Sequence, residues 1–406
     1  PLGQVAFSRR DAQAPAGDEM LTFEGFTGIN NQVPAHRLKG SDLVAANDVD
    51  IGLTGEILRR GGYAKTDTDC HKNVHQSAGY KLATVESDLT AIHPNGDRHI
   101  VYESLGMSRV WYTDLPDGRT TFSNGLINGI TDGLTGKAWS VPVPASPGVA
   151  RAIGGSMFPG AYTYHLTFRR SDGAESPAAS ADALQIDTGG IYLSGLPMLD
   201  GHTLQVYLSG PNGEGAYLAG STSNDEFQYT GPSTDLILPC RTIGTVPMPI
   251  GTISAFWRGR LLVAQGRVLW ASRPMAPHLA EWRDFRPMPA EITAIQPMDG
   301  GIYVGTEDDL IWLGGDTFDQ LAYVPTKRGP VVLGSGVAAP GDQIKLGDGT
   351  GVGNAMLCIA GGEIVAGFNG GQTTSLTRNR YKTTATEVCA TFRVLNGIPQ
   401  YIAVPQ

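Results

Sequence analysis

Apolar residues in this chain come in short runs, each closed by glycine, asparagine, aspartate or proline. Residues 257–274, WRGRLLVAQGRVLWASRP, hold two such runs around a Gly turn, and residues 300–315, GGIYVGTEDDLIWLGG, repeat the arrangement. Few windows keep the i, i+3, i+4, i+7 apolar spacing of a helix, so the pattern predicts β-strands throughout. Segments 48–63, 89–103 and 108–122 read as strand pairs turning at Leu53–Gly55, at Pro-Asn-Gly-Asp and at Pro116–Gly118, and a further pair spans 122–144. Segments 253–274, 292–315 and 354–382 repeat "strand, small turn, strand, turn, strand" at a period near 40 residues, which fits propeller blades. A last hairpin, 390–406, turns at Asn396–Gly397.

Between residues 145 and 250 the character changes. A Pro/Gly linker leads into AYTYHLTFRR (161–170), with Tyr162, Tyr164, Leu166 and Phe168 on one face. Short strands follow at 190–196, 203–210, 216–221 and 226–231, a density expected of a β-sandwich. The sub-pattern G-x-Y-x-Y-x-x-T-F followed by DG-x-ES-x-x-S resembles fibronectin type III-like modules. The predicted organisation is an all-β chain with an arm at 1–20, a propeller's first part at 21–145, an inserted sandwich at 146–250, and the propeller's second part at 251–406. The ring is shared by both halves, and the ending YIAVPQ is expected to complete a blade begun near 21–28. Trp111, Trp270 and Trp312 are expected to anchor blade-to-blade packing.

Composition sharpens this picture. Glycine (54) and proline (26) together make about a fifth of the chain with no collagen period, as a turn-rich β protein requires. The net charge of −9 and the absence of any basic block argue against tight DNA binding. Cys70, Cys240, Cys358 and Cys389 are widely spaced, without a CxxC pair, so neither a disulfide framework nor a zinc site is expected. Residues 1–20 lack the apolar stretch of a signal peptide, and no run approaches the length of a membrane span.

Candidate chemistry is sparse. CHKNVH (70–75) would place His71 and His75 on one face of a helix, but a third ligand is missing. KLGDGTGVGNA (345–355) is glycine-rich without the Lys and helix of a phosphate loop, and GTEDDL (305–310) and GGDTFDQ (314–320) lack calcium-loop spacing. Neither S-x-D-x-G-x-x-W boxes nor a GxSxG elbow occurs. No catalytic residue, metal or cofactor is expected, and the chain is read as a non-enzyme.

One longer pattern does point to a role. Residues 21–65 contain Phe26, Gly28, Ile29, Asn30, Asn31, Pro34, Leu43, Ala46, Asn47, Asp50, Gly55, Arg59, Arg60, Gly62 and Tyr63 in an order that resembles the opening of a family of bacteriophage tail structural proteins. The family's Arg-Pro-Gly-Tyr stands here as Arg-Gly-Gly-Tyr. Segments 256–274 and 300–315 and the ending QYIAVPQ are similar to the family's C-terminal half, so the likeness runs nearly the whole chain. The resemblance implies a virion component: a nozzle of short-tailed phages, commonly a hexameric ring around the DNA exit channel. It also implies portal and adaptor proteins as neighbours, fibre or spike proteins docked on it, and double-stranded DNA passing through. Glu307, Asp308 and Asp309 are the expected channel-lining acids, since acidic walls give phosphates nothing to grip. The rival readings are a tail-associated module that anchors fibres or recognises the host surface, and a propeller hydrolase acting on envelope glycans.

Overall fold

A computed structural model describes residues 25–406 except 53, 63, 66, 181, 182, 188, 347, 348 and 396. The expected arm at 1–20, the start of the strand at 21–28, and Tyr63 therefore lie outside the described residues. Apart from four short helical turns, every described regular element is a strand, and no described helix is long and apolar enough to cross a membrane. The chain forms two compact units. One is Asp67–Val331 with Asn369–Gly371; the other draws on residues up to 66, Val332–Phe368 and Gln372–Gln406.

The larger unit holds four propeller-type blades, each an antiparallel meander paired in chain order. Blade I is His71–Gln76, Lys81–Val85, Asp88–Ile92 and Arg98–Tyr102. Blade II is Trp111–Asp114, Thr120–Ser123, Asn128–Thr131 and Gly136–Ala138. Blade III is Ser254–Trp257, Arg260–Gln265, Val268–Arg273 and Ala276–Pro287, with Thr245–Pro247 added outside it. Blade IV is Ile292–Met298, Gly301–Thr306, Leu310–Gly314 and Ala322–Pro325. Middle strands such as Leu261–Ala264 and Gly301–Thr306 are buried without alternation, because both faces of a stacked blade are covered. The outermost strand Ala322–Pro325 is exposed along its whole length.

Side chains that cross between blades explain the stacking. Tyr80, Leu82, Leu89 and Val101 of blade I share a core with Phe122 of blade II. Trp139, just past blade II, joins Leu115 and Ile130 to Leu261, Val263 and Ala280 of blade III. Its indole Nε1 donates to the Pro277 carbonyl at 2.7 Å. Thr113 and Ser254 hydroxyls meet at 2.7 Å, and Ser123 donates to the Gly251 carbonyl. Blade III continues into blade IV through Trp257, whose Nε1 donates to Met298 O at 3.1 Å. A small residue allows the close approach of blades I and II: a Cβ on Gly136 would sit 1.8 Å from the Val101 carbonyl oxygen.

The expected tryptophan anchors are corrected in part. Trp270 and Trp312 do occupy matching third strands, and Trp312 is buried against Tyr303 at 4.7 Å between ring centroids. Trp111 lies on a first strand, half-buried under the Arg109 guanidinium, whereas Trp270, half-buried, packs against the core that joins blades II and III as expected. Among the described residues, Trp139 and Trp257 are buried indoles whose N–H groups reach a neighbouring blade.

The sandwich lies between blades II and III without interrupting their contact, as the inserted reading expects. One sheet orders Val149–Met157, Gly189–Ser194 and Glu226–Tyr229. The facing sheet orders Ala179–Ser180, Tyr164–Arg170, His202–Ser209 and Ala216–Thr222. A small pair, Gly160–Tyr162 with Leu184–Ile186, completes it. Tyr162, Tyr164, Leu166 and Phe168, the face predicted from alternation, enter a core with Ile191, Leu193, Leu204 and Val206.

The smaller unit contains blade V and a two-stranded ribbon. Blade V orders Val337–Pro340, Asn354–Ala360, Glu363–Phe368 and Thr373–Ser375, so its first strand precedes the predicted repeat at 354–382. The ribbon pairs Val388–Leu395 with Ile398–Pro405, and Phe392 and Tyr401 pack on the blade. The expected pairing of YIAVPQ with residues near 21–28 is not what the described residues do. Ile398–Pro405 pairs with Val388–Leu395, and Gly28–Ile29 pairs in parallel with Asp42–Leu43.

Candidate functional site

Two of the residues that carry the resemblance, Asn30 and Asn31, belong to a polar clamp in the smaller unit. Asn31 sits opposite the backbone of residues 380–382. Its Nδ2 donates to Lys382 O at 2.7 Å, its Oδ1 accepts from Lys382 N–H at 2.9 Å, and its own N–H donates to Arg380 O at 2.9 Å. A side-chain amide thereby copies the two-way pairing of a β-bridge. Asn30 Nδ2 donates to Asp42 Oδ2 at 3.0 Å, and Arg380 donates to Asp42 Oδ1 at 2.7 Å and to the Thr27 hydroxyl at 2.6 Å. The Asn30 hydrogen bond, with Thr27 and the Arg380 charge, holds the Asp42 carboxyl below its usual range. Asn31, together with Arg380 on Thr27 and Asp42, thus fastens residues 27–42 to residues 380–382. Asn31→Ala removes two of these bonds at about 1 kcal/mol each. Faster amide exchange at Lys382, whose N–H loses the Asn31 Oδ1 acceptor, with an unchanged core is the expected result, read by hydrogen-exchange mass spectrometry.

The acidic turn predicted to line a channel divides in two. Glu307 and Asp308 are exposed at the tip between Gly301–Thr306 and Leu310–Gly314. Asp309 is half-buried and engaged: Oδ2 accepts from Lys327 N–H at 2.8 Å, and Oδ1 accepts from Arg328 N–H at 2.7 Å and Gly329 N–H at 3.0 Å. Lys327 has φ of 60°, and this left-handed turn helps to aim three successive N–H groups at one carboxylate. Asp309→Ala leaves those donors without their acceptor and is expected to cost about 2 kcal/mol, whereas Glu307→Lys and Asp308→Lys should each change stability by less than about 0.5 kcal/mol. Thermal unfolding of the three variants separates the roles.

The histidines of CHKNVH lie on a strand, not a helix, with the register shifting between Lys72 and His75. They part company. His75 stacks on Tyr112 at 4.9 Å and meets Asp114 at 3.1 Å, while His71 Nε2 lies 3.2 Å from Asp67. Burial pushes the Asp114 carboxyl up, but hydrogen bonds from His75 and Thr120 outweigh it and hold it below the usual range. Asp67, Asp69 and His71 do converge closely enough to hold an ion. Arg98 already spans both carboxylates, reaching Asp69 at 2.6 Å and pairing with Asp67, so a cation would have to displace a guanidinium. In the sandwich, Ser180 Oγ meets His165 Nδ1 at 3.0 Å as a cross-strand pair.

The joint between sandwich and blades is a third polar cluster. Arg170 Nη1 donates to Ala138 O at 2.6 Å, and Asp172 sits 3.0 Å from Arg170 and 3.6 Å from Lys137. Burial pushes Asp172 up, but the Arg170 and Ala174 hydrogen bonds prevail and hold it at about 2. His278 of blade III lies 3.2 Å from the Glu175 carbonyl, and burial lowers its pKa to about 4. At neutral pH the uncharged ring must donate through Nε2–H to that carbonyl.

No family model matches the chain. No curated protein matches it either. Among solved structures, the chain is similar to the Neurospora crassa Pan2 WD40 domain at 10% identity, covering 82% of this chain and 86% of that one, with a TM-score of 0.34. It is similar to virginiamycin B lyase from Staphylococcus aureus at 10% identity, covering 84% and 94%, with a TM-score of 0.31. It spans 36% of the extracellular domain of a hybrid two-component system protein from B. thetaiotaomicron, at 11% identity, 82% coverage of this chain and a TM-score of 0.29. The assignment of blades rests on the four-stranded meanders themselves.

Proposed function

We propose that the chain is a structural subunit of a bacteriophage tail, forming a ring that extends the DNA-ejection conduit below the portal and adaptor. The observation that carries this reading is the clamp. Asn31, in the stretch that resembles the tail family, fastens that stretch to residues 380–382, while Asn30 holds Asp42, the partner of Arg380. Blades with an inserted sandwich suit a wall component that also offers a platform for fibres. The chain's charge of −9 suits a surface along which DNA passes without adhering. Glu307 and Asp308, exposed on their turn, remain the proposed channel-facing acids, with Asp309 supporting them.

The role is mechanical on this reading: retain the genome until adsorption, then let it through. Phage particles assembled without the protein are expected to lose packaged DNA or to fail in ejection, measured as nuclease-accessible genome and as DNA delivered to the host. Particles that keep and deliver their DNA normally while failing to adsorb would favour the host-binding module, and sugar release from purified envelope by the isolated protein would favour the hydrolase.

A further inference from the structure

Charge is unevenly placed along this acidic chain. Ser254–Pro287 of blade III carries six arginines against two acids, a net +4. The sandwich region, residues 146–250, carries four arginines against nine acids, a net −5. On blade III most guanidinia are occupied: Arg258 pairs with Asp316, Arg260 with Asp284, Arg273 with Glu281, and Arg286 donates to Phe318 and Asp319 carbonyls. Arg283 and Arg267 have no ion pair or side-chain hydrogen bond among the described residues, and both are exposed. Arg283 lies over the Trp282 ring at 4.2 Å and Trp282 is 55% exposed; Phe285, further along the same strand, rests on Trp270 at 5.2 Å and is 39% exposed. A cation stacked on an open indole, on a strand that also half-exposes Phe285, is the composition of an interface centre rather than of a solvated rim.

The acidic counterpart is the free end of the sandwich. The end that meets the blades is marked by Arg170, Asp172 and Glu175. At the opposite end, Asn212 N–H donates to Ala161 O at 2.8 Å and Phe158 N–H to Ser233 Oγ at 3.1 Å, which gathers the loops around 158–161, 210–215 and 230–235. These loops hold Glu214 and Asp235, both exposed, and no lysine or arginine. They also expose Phe158 at 51%.

We infer that the free end of one copy's sandwich docks on the Trp282–Arg283–Phe285 edge of blade III in the next copy. The inference rests on the ring reading and names its interface. A second copy is the occupant because the chain carries both halves of a complementary pair, and because its own blade III meets the other end of its sandwich, through His278 and Glu175. Arg283, stacked and planar, is pre-set to take a carboxylate with two parallel N–H groups. Phe158 supplies the apolar contact for the open rings. The contact joins different surfaces on the two copies, so it repeats head to tail and builds a ring wherever the rotation closes.

Two charge reversals test it by sedimentation velocity: Arg267→Glu with Arg283→Glu, and Glu214→Arg with Asp235→Arg. All four are surface positions, and matching unfolding midpoints would verify the folds. Each double variant alone should associate at least about tenfold more weakly than the wild type, because like charges now face each other. Mixed in equal amounts the two should assemble again, since each copy's altered surface then meets an opposite one. Wild-type-like assembly by both variants would overturn the inference and leave the ring reading standing. A wild-type chain that stays monomeric at every concentration would overturn both.

Discussion

Trp139→Ala is expected to destabilise the larger unit by about 3–5 kcal/mol, the usual cost of truncating a fully buried indole. Trp139 is 1% exposed and packs with Leu115, Ile130, Leu261 and Val263, residues of two blades that are separated in sequence by the whole sandwich. Truncation opens a cavity at the blade II–blade III contact and also leaves the Pro277 carbonyl without its 2.7 Å indole donor. Trp139→Phe keeps most of the buried area and loses the donor, so a smaller loss of about 1–2 kcal/mol is expected. Urea unfolding of the three proteins measures both. A loss below about 1 kcal/mol for the alanine variant would mean that the insertion, and not the stacked blades, sets the stability of this region.

Acid should loosen the joint between the sandwich and the blades. His278 titrates at about 4 in the folded protein against an ordinary value of 6.5, because burial disfavours the charged ring. The unfolded chain therefore takes up the proton first as pH falls. Stability is full above pH 6.5, declines between 6.5 and 4, and this contribution is spent below 4, a total of up to about 3 kcal/mol. Asp172, held at about 2 against 3.8, adds a second decline that begins only below pH 3.8. His278→Gln keeps a side-chain donor for the Glu175 carbonyl without the titration. Its unfolding midpoint should be flatter than the wild type's between pH 6.5 and 4, and an equally steep decline in both proteins would place the sensitive group elsewhere.

What the sequence disclosed was local. Glycine turns between apolar runs marked the strands of blades III and IV, and alternation in 161–170 named the sandwich core face correctly, because both signals act within one hairpin or one strand. What it hid was the contact between distant segments. Trp139 and Trp257 look no different in sequence from Trp111, yet only the stacking of neighbouring blades buries the first two. Asp309 sits in a run of three acids that looks uniform; its engagement depends on a turn at 327–329 that supplies three N–H groups. Asn31 gave part of a resemblance but no mechanism until residues 380–382 came alongside. For CHKNVH only a helix would have set its histidines side by side as ligands, and the segment extends as a strand instead.

The central claim is that copies of this chain join head to tail into a ring around an open channel. Electron microscopy of the purified protein tests it most directly. Class averages should show closed rings with a central hole wide enough for a DNA duplex, and the rings should come apart as salt is raised, because complementary charge joins the copies. Isolated particles at every concentration, or assemblies with no central opening, would contradict it.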